Sequence, residues 1–319
     1  MANLVRRPTR VIEKLNLNMY DFKKESWHLQ VLKVKEIQAI SKGKGAVICF
    51  LDDGVGQNSE IYGKIRDSYK FLPIEEWEGE HSTFGATLAV GETMGLFPEM
   101  VVDTSMVLHP ETGIGSVDWV VSAIYHAKSR GIKLINLSLG ADEPDRRWEK
   151  ALRDFCSDGQ SIATIAAGND SKQTDYPAMY ARMIPGVISV AATQINPKGE
   201  INIATFSSWG EITISAPGHG LKSQNHVNEL EFVSGTSFAA PIVGAAIAVA
   251  QTLRPGITQG QIIAALASTA KHMSEDKKHS GYGHIDIVSF LARVKDPKPI
   301  TPMPLPSSVS RKRWYWPFG

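Results

Sequence analysis

Cysteine is scarce in this chain. Two thiols, Cys49 and Cys156, occur in 319 residues, both in apolar segments. That excludes a disulfide framework and reads as two buried free thiols. Charge of one sign is missing as well. Lys plus Arg number 34 against 33 Asp plus Glu, for a net charge of +1, which points to neither nucleic acid nor an anionic membrane as partner. No run approaches the ~18 consecutive apolar residues of a membrane span; the longest candidate, 242–253, is short and rich in Ala and Gly. The first residues, MANLVRRPTRVIEKLNL, lack the apolar core of a secretory signal, so a cytoplasmic location is expected. No HExxH or paired CxxC suggests zinc. GKG at 43–45 and GIG at 113–115 lie outside any strand–GxGxxG–helix context. His272, His279 and His284 lack ligand spacing and are expected at the surface. No internal repeat is visible.

What is present is an α/β pattern. AVICFL at 46–51 is a continuous apolar run, as in a strand buried on both faces. Further strands are expected at 101–108, 132–139 and 161–167, alternating with helices at 83–91, 116–129 and 146–156. Such alternation predicts a mainly parallel central sheet flanked by helices, a three-layer α/β fold. Beyond residue 187 strands dominate (GVISVAAT, ATFSSWG, ITISAPG, LEFVSG), followed by helices at 237–253 and 258–270. Three regions follow: a polar, basic N-terminal extension at 1–27, one domain at 28–294, and a Pro-rich tail at 295–319 with a basic-aromatic end.

Four short stretches carry chemistry. GTS at 235–237 places Ser237 where a helix begins, beside unpaired N–H groups and the positive end of the dipole. That suits a helix cap, and it suits a nucleophile whose oxyanion those N–H groups would receive. LDDG at 51–54 ends an apolar strand in two acids, Asp52 and Asp53. Ligand sites gather at such strand ends, and an Asp there can orient a histidine; an Asx-turn is the plainer reading. His81 opens a helix after an acidic loop, and AAGN at 166–169 puts the amide of Asn169 at the tip of a tight turn. An Asn there can donate to an oxyanion or simply make the turn.

Taken together, these stretches resemble one family, the subtilisin-like serine proteases (subtilases, peptidase S8). The order Asp, His, Asn, Ser is that family's order. GTSFAAP reproduces its nucleophile motif, LDDG its aspartate motif and AAGN its oxyanion motif, while HSTFGAT is similar to its HGTHVAG. INLSLG at 135–140 is similar to its substrate-pairing strand, and the likeness continues through YPAMYARMIPGVISVAA, ATFSSWG and SAPG to cover about 27–294. The resemblance implies a triad of Asp52, His81 and Ser237, an oxyanion site from Asn169 and the Ser237 N–H, and a polypeptide substrate pairing with Ser138, Leu139 and Gly140, with Ala167 and Gly168 also binding substrate. A broad degradative protease and a dedicated processing protease both fit. The rival from another class is a catalytically silent member kept for binding.

Departures from the family pattern sharpen the expectations. The Gly after the histidine is Ser82 and the next His is Phe84, which implies a small shift in geometry at His81. GETMG at 91–95 replaces the longer loop that holds a calcium ion in many relatives, and it cannot obviously supply the six to eight oxygens calcium wants. That metal site is expected to be missing and no cofactor is expected, with a calcium site elsewhere left open. The extension at 1–27 resembles the short one of intracellular subtilisins, and it is expected to lie over the active site and restrain it. Asp53 gives an Asp-Asp-Gly similar to the kexin branch, where the second Asp lines a pocket for a basic residue. Asp175 falls at the floor of the primary pocket, and EEWEGE at 75–80 is acidic too. These acids imply cleavage after basic residues. Arg6-Arg7 and RKR at 311–313 would then be candidate self-processing sites, with Pro8 blocking a cut after Arg7.

Overall fold

In the computed structural model, residues 4–7, 26–75 and 79–303 are described. Element order places β1 (Leu4–Arg6), α1 (Trp27–Val31) and α2 (Val34–Ile40) before the first long strand, β2 (Val47–Asp52). Then follow β3 (Ile65–Lys70), α3 (Glu80–Val90), β4 (Val101–Met106), β5 (Ile114–Ser116), α4 (Val117–Ser129), β6 (Leu134–Leu137), α5 (Arg146–Cys156) and β7 (Ile162–Ala166). The second half holds β8 (Val187–Ile195), β9 (Ile201–Ile203), β10 (Ile214–Pro217), the hairpin β11 (Leu221–Gln224) and β12 (Leu230–Val233), α6 (Thr236–Leu253), α7 (Gln259–Thr269), α8 (Lys277–Ser280) and α9 (Ile287–Lys295).

The central sheet runs β10-β8-β7-β6-β2-β4-β3, all parallel, with β9 added antiparallel to β8. The expected α/β architecture is therefore present. Strand period two sends Ile48 and Phe50 to one face and Cys49 and Leu51 to the other. The first face packs under α3, α6, α7 and α9; the second packs under α4 and α5. Both thiols are buried and unpaired, and burial pushes each up to about 12.

The small residues of α6 have a packing reason. Residues 236–250 are all buried, and a Cβ on Gly244 would stand 2.8 Å from Thr164 Oγ1 and 3.1 Å from Ile48 Cδ1. A helix with larger side chains would ride higher over the sheet. By length and apolarity α6 would span a membrane, but 83% of that window is buried inside the molecule. It is a core helix.

Some expectations fail for physical reasons. ATFSSWG at 204–210 is a turn rather than a strand, with the Ser207 N–H on Ala204 O and the Ser208 N–H on Gly168 O. β3 was not foreseen because IRDSYK is polar; it is an edge strand, held by Arg66 on Asp103 at 2.6 and 2.8 Å. His284 is a correction: it is 1% exposed, 3.2 Å from Thr193 Oγ1, and burial pushes its pKa down to about 3. Residues 8–25, 76–78 and 304–319 lie outside the described residues. With them fall most of the expected extension, Glu76 and Glu78 of the acidic loop, and the RKR of the tail.

Candidate active site

β2 ends in Asp52 and Asp53 at the carboxyl edge of the sheet, where α3 begins. Asp52 presents both carboxylate oxygens to His81 Nδ1, at 3.0 and 3.1 Å, while its Oδ1 also accepts the Asp53 N–H at 2.8 Å. A carboxylate accepts only, so Nδ1 carries the proton and Nε2 keeps its lone pair. The substitutions beside the histidine do not pull it off Asp52. Burial disfavours the imidazolium of His81, but Asp52, by charge and hydrogen bond, outweighs it and the pKa lies above the ordinary histidine value.

Asp53 does something sequence reasoning did not foresee. It is fully buried and serves as the cap that α3 lacks on its own N-cap residue, Gly79. Its oxygens accept the N–H groups of His81 (3.1 Å) and Ser82 (2.9 Å) and the Ser82 hydroxyl (2.7 Å). The two unusual residues of the motifs, Asp53 and Ser82, are thus partners. Burial raises the Asp53 pKa, with the Asp52 charge adding to it. The ligand atoms of Asp52, Asp53 and His81 lie within 4.8 Å of one another, a spacing a metal could use. The two carboxylates already accept backbone, hydroxyl, imidazole and Arg7 guanidinium donors, so their proximity is explained without an ion.

Ser237 is the second residue of α6. Its hydroxyl is buried and makes no hydrogen bond among the described residues. It is brought towards His81 by the packing of α3 on α6, with the rings of His81 and Phe238 5.4 Å apart. Pro241 explains another contact. Proline has no N–H, so the carbonyl four residues back, that of Ser237, loses its helical partner. The Ser138 hydroxyl donates to that carbonyl instead, at 2.9 Å. Ser138 in turn accepts from Asn136 Nδ2 at 3.1 Å, and Asn136 Oδ1 accepts the Thr164 hydroxyl at 3.1 Å. The side chain of Ser138 therefore anchors the helix that carries Ser237.

Asn169 sits at the same helix end. Its Oδ1 accepts the Thr236 N–H at 2.9 Å and the Thr236 hydroxyl at 2.8 Å, and the Gly168 N–H donates to that hydroxyl at 3.1 Å. With the oxygen so held, the amide nitrogen faces Gly235, 3.0 Å from where a Cβ would stand. Gly235 has φ of 152°, a backbone that glycine favours.

A groove runs away from this centre, and the chain's own N-terminal strand lies in it. β1 pairs antiparallel with β5 in the register Leu4 to Ser116, Val5 to Gly115 and Arg6 to Ile114. The Arg7 N–H extends this pairing to Gly113 O at 3.0 Å, and on the other side of the strand the Arg6 N–H and carbonyl exchange 2.8 Å bonds with Gly140. Val5 is fully buried among Val107, Leu108 and Leu139. Arg6 grips Asp142 at 2.8 and 2.9 Å, and Arg7 reaches Asp53 at 3.1 Å. Beside the groove a pocket of about 180 Å³ is lined by Leu139, Gly140, Ala167, Gly168, Asp170 and Asp175, with Arg6 at its edge. Asp142, Asp170 and Lys172, which no sequence signal singled out, join Asp175 there.

The GETMG loop is organised by a carboxylate. Glu60 accepts the Thr93 N–H at 2.7 Å, the Met94 N–H at 3.0 Å and the Thr93 hydroxyl at 2.6 Å. The loop turns donors towards an acid, which is the wrong polarity for a cation. The residues present do not fit a calcium ion there.

Comparison with known proteins accords with this geometry. The Subtilase family model (peptidase S8) matches residues 43–284. The thermostable alkaline protease of Halalkalibacterium halodurans is 30% identical over 242 residues, covering 72% of this chain and 63% of that protein. Subtilisin Savinase of Lederbergia lenta is 28% identical over 237 residues, covering 72% and 84% respectively. Fervidolysin from Fervidobacterium pennivorans, a keratinolytic enzyme related to subtilisin, shares the fold with a TM-score of 0.78 at 23% identity; the match covers 93% of this chain and 51% of that one. The chain thus spans less than two thirds of the alkaline protease and about half of fervidolysin.

Proposed function

The chain belongs to the subtilase family, and on that premise we propose that it is a serine endopeptidase working through Asp52, His81 and Ser237. The observation that carries this reading is the pair of 3.0 and 3.1 Å contacts from Asp52 to His81 Nδ1 at the N-terminus of the helix that follows it. Ser237 Oγ attacks the scissile carbonyl and gives its proton to His81 Nε2. Asp52 holds the Nδ1–H tautomer and stabilises the imidazolium that forms. The carbonyl oxygen, now negative, takes hydrogen bonds from the Ser237 N–H and Asn169 Nδ2. His81 then protonates the departing amine, and water hydrolyses the acyl-enzyme by the same steps in reverse order.

The substrate is a polypeptide bound as an added strand between Gly113–Ser116 of the β5 edge and Gly140, the place β1 fills. We further propose a preference for basic residues in this groove. Arg7 on buried Asp53 and Arg6 on Asp142 support it, as does Asp175 in the adjoining pocket. The N-terminal strand restrains activity by occupying the groove. No calcium is bound at the GETMG loop.

A fluorophosphonate probe followed by mass spectrometry is the test. Labelling at Ser237, abolished in Ser237→Ala and accompanied by hydrolysis of a mixed peptide library, is the expected result. A properly folded protein that neither labels nor cuts, with or without residues 1–25, overturns the enzyme reading in favour of a binding protein.

A further inference from the structure

The acidic pocket beside the groove already holds a cation of its own. Lys172 Nζ lies 3.2 Å from Asp175, 3.3 Å from Asp142 and 3.5 Å from Asp170. Asp170 and Asp175 line the pocket itself, together with Arg6, whose guanidinium takes Asp142 from the other side. Three carboxylates therefore face two resident cations, and one of those cations leaves with β1 when a substrate takes its place. Burial pushes the Asp175 carboxyl above its ordinary value even though Lys172 pulls it down.

Resting on the protease reading, we infer that Lys172 is a specificity-determining residue, an internal counter-ion that lets this pocket accept apolar side chains beside the basic ones it prefers. An apolar side chain just before the scissile bond (P1) strips water from Asp175. A carboxylate so stripped is costly unless it is paired, and Lys172 supplies the pair. A Lys or Arg at P1 instead takes Asp175 for itself. Lys172 then falls back on Asp142 and Asp170, so the exchange leaves no ammonium unpaired. Without Lys172 the pocket would keep three like charges, a bare Asp175 among them. It would reject apolar P1 residues and favour cations.

The test is kcat/KM of the full chain on peptides identical except at P1, with Lys, Arg, Met and Leu. β1 competes with every substrate to the same degree, so it cancels from the ratio of basic to apolar kcat/KM. Lys172→Met is expected to raise that ratio at least tenfold, mainly through poorer cleavage after Met and Leu. Lys172→Arg should keep the wild-type ratio, and Asp175→Asn should lower it through poorer cleavage after Lys and Arg. The side chain of Lys172 is 43% exposed on a loop, so these variants should fold; Lys172→Gln gives a second neutral replacement. An unchanged ratio in both neutral variants overturns the inference while leaving the protease reading standing. Failure of the wild type to cut any of the peptides sinks both.

Discussion

The two ends of the groove are built on opposite principles. At the chemical end every partner is buried and used more than once. Asp52 serves His81 and a backbone N–H, Asp53 serves three donors of α3, Asn169 serves both polar groups of Thr236, and Ser138 takes the carbonyl that Pro241 abandons. At the recognition end the pairs are half exposed and exchangeable: the side chains of Arg6 and Asp142 are 58% and 55% exposed. Transition-state stabilisation needs donors fixed in advance, because any reorganisation is added to the barrier. Selection among substrates needs contacts that can be given up. Changes at the first end should therefore cost orders of magnitude in turnover, and changes at the second should redistribute it.

The largest effect expected is at Asp52. Asp52→Asn offers Nδ1 a donor or the wrong tautomer and should lower kcat about 10⁴-fold with little change in KM. Next is Asn169→Ala, expected to cost about 10²–10³ in kcat, or 2.7–4 kcal/mol, a figure that comes from subtilisin itself. Because Asn169 also holds Thr236, Thr236→Val separates the two roles; a loss in Thr236→Val equal to that in Asn169→Ala would assign the whole effect to helix positioning. At the recognition end, Arg7→Ala removes the partly buried pair with Asp53 and should raise kcat/KM roughly three- to thirtyfold by releasing β1. A fall would mean that Arg7 supports the site rather than blocks it.

Smaller effects test the supports. Glu60→Gln should destabilise the fold by about 1–3 kcal/mol, read as a shift in the urea midpoint, while a chelator should leave the wild-type midpoint unmoved. A chelator-induced drop would restore calcium to the GETMG loop. Last is the pH profile. His81 works as a base only when neutral, and its pKa is raised. Activity should therefore be present above that pKa and vanish as pH falls through it, with the acid limb of kcat/KM lying above the usual histidine value of about 6.5. The Arg7 charge lowers the His81 pKa, so Arg7→Ala should move the limb slightly further up.

What could be read from the sequence follows the same division. The parallel strands were legible because apolar runs such as AVICFL have no other comfortable place than a covered sheet. The meeting of Asp52 with His81, and of Asn169 with the start of the Ser237 helix, was expected from the four motifs and their order. β1, β5 and the Lys172 cluster were not. Three residues, as in Leu4–Arg6, are too few for a period to show, and their pairing depends on partners more than 100 residues away. Asp53 was read as a pocket acid from the likeness of Asp-Asp-Gly to the kexin branch; the sequence does not show the α3 N–H groups pointing at it. An acidic pocket was expected from Asp175 and the loop at 75–80; in the structure Asp170 lines the pocket with Asp175, and Lys172 links both to Asp142.

One bond described above ties the two ends together. The strand that borders the groove and the helix that carries Ser237 meet at the Ser138 hydroxyl and the Ser237 carbonyl. A displacement of the groove wall is therefore transmitted, as by a rigid link, to residue 237. An engineer who widens the groove by altering residues 138–140 should expect misalignment first and altered selectivity second. Room for new substrates has to be sought at the pocket's ion pairs, where the protein already tolerates exchange.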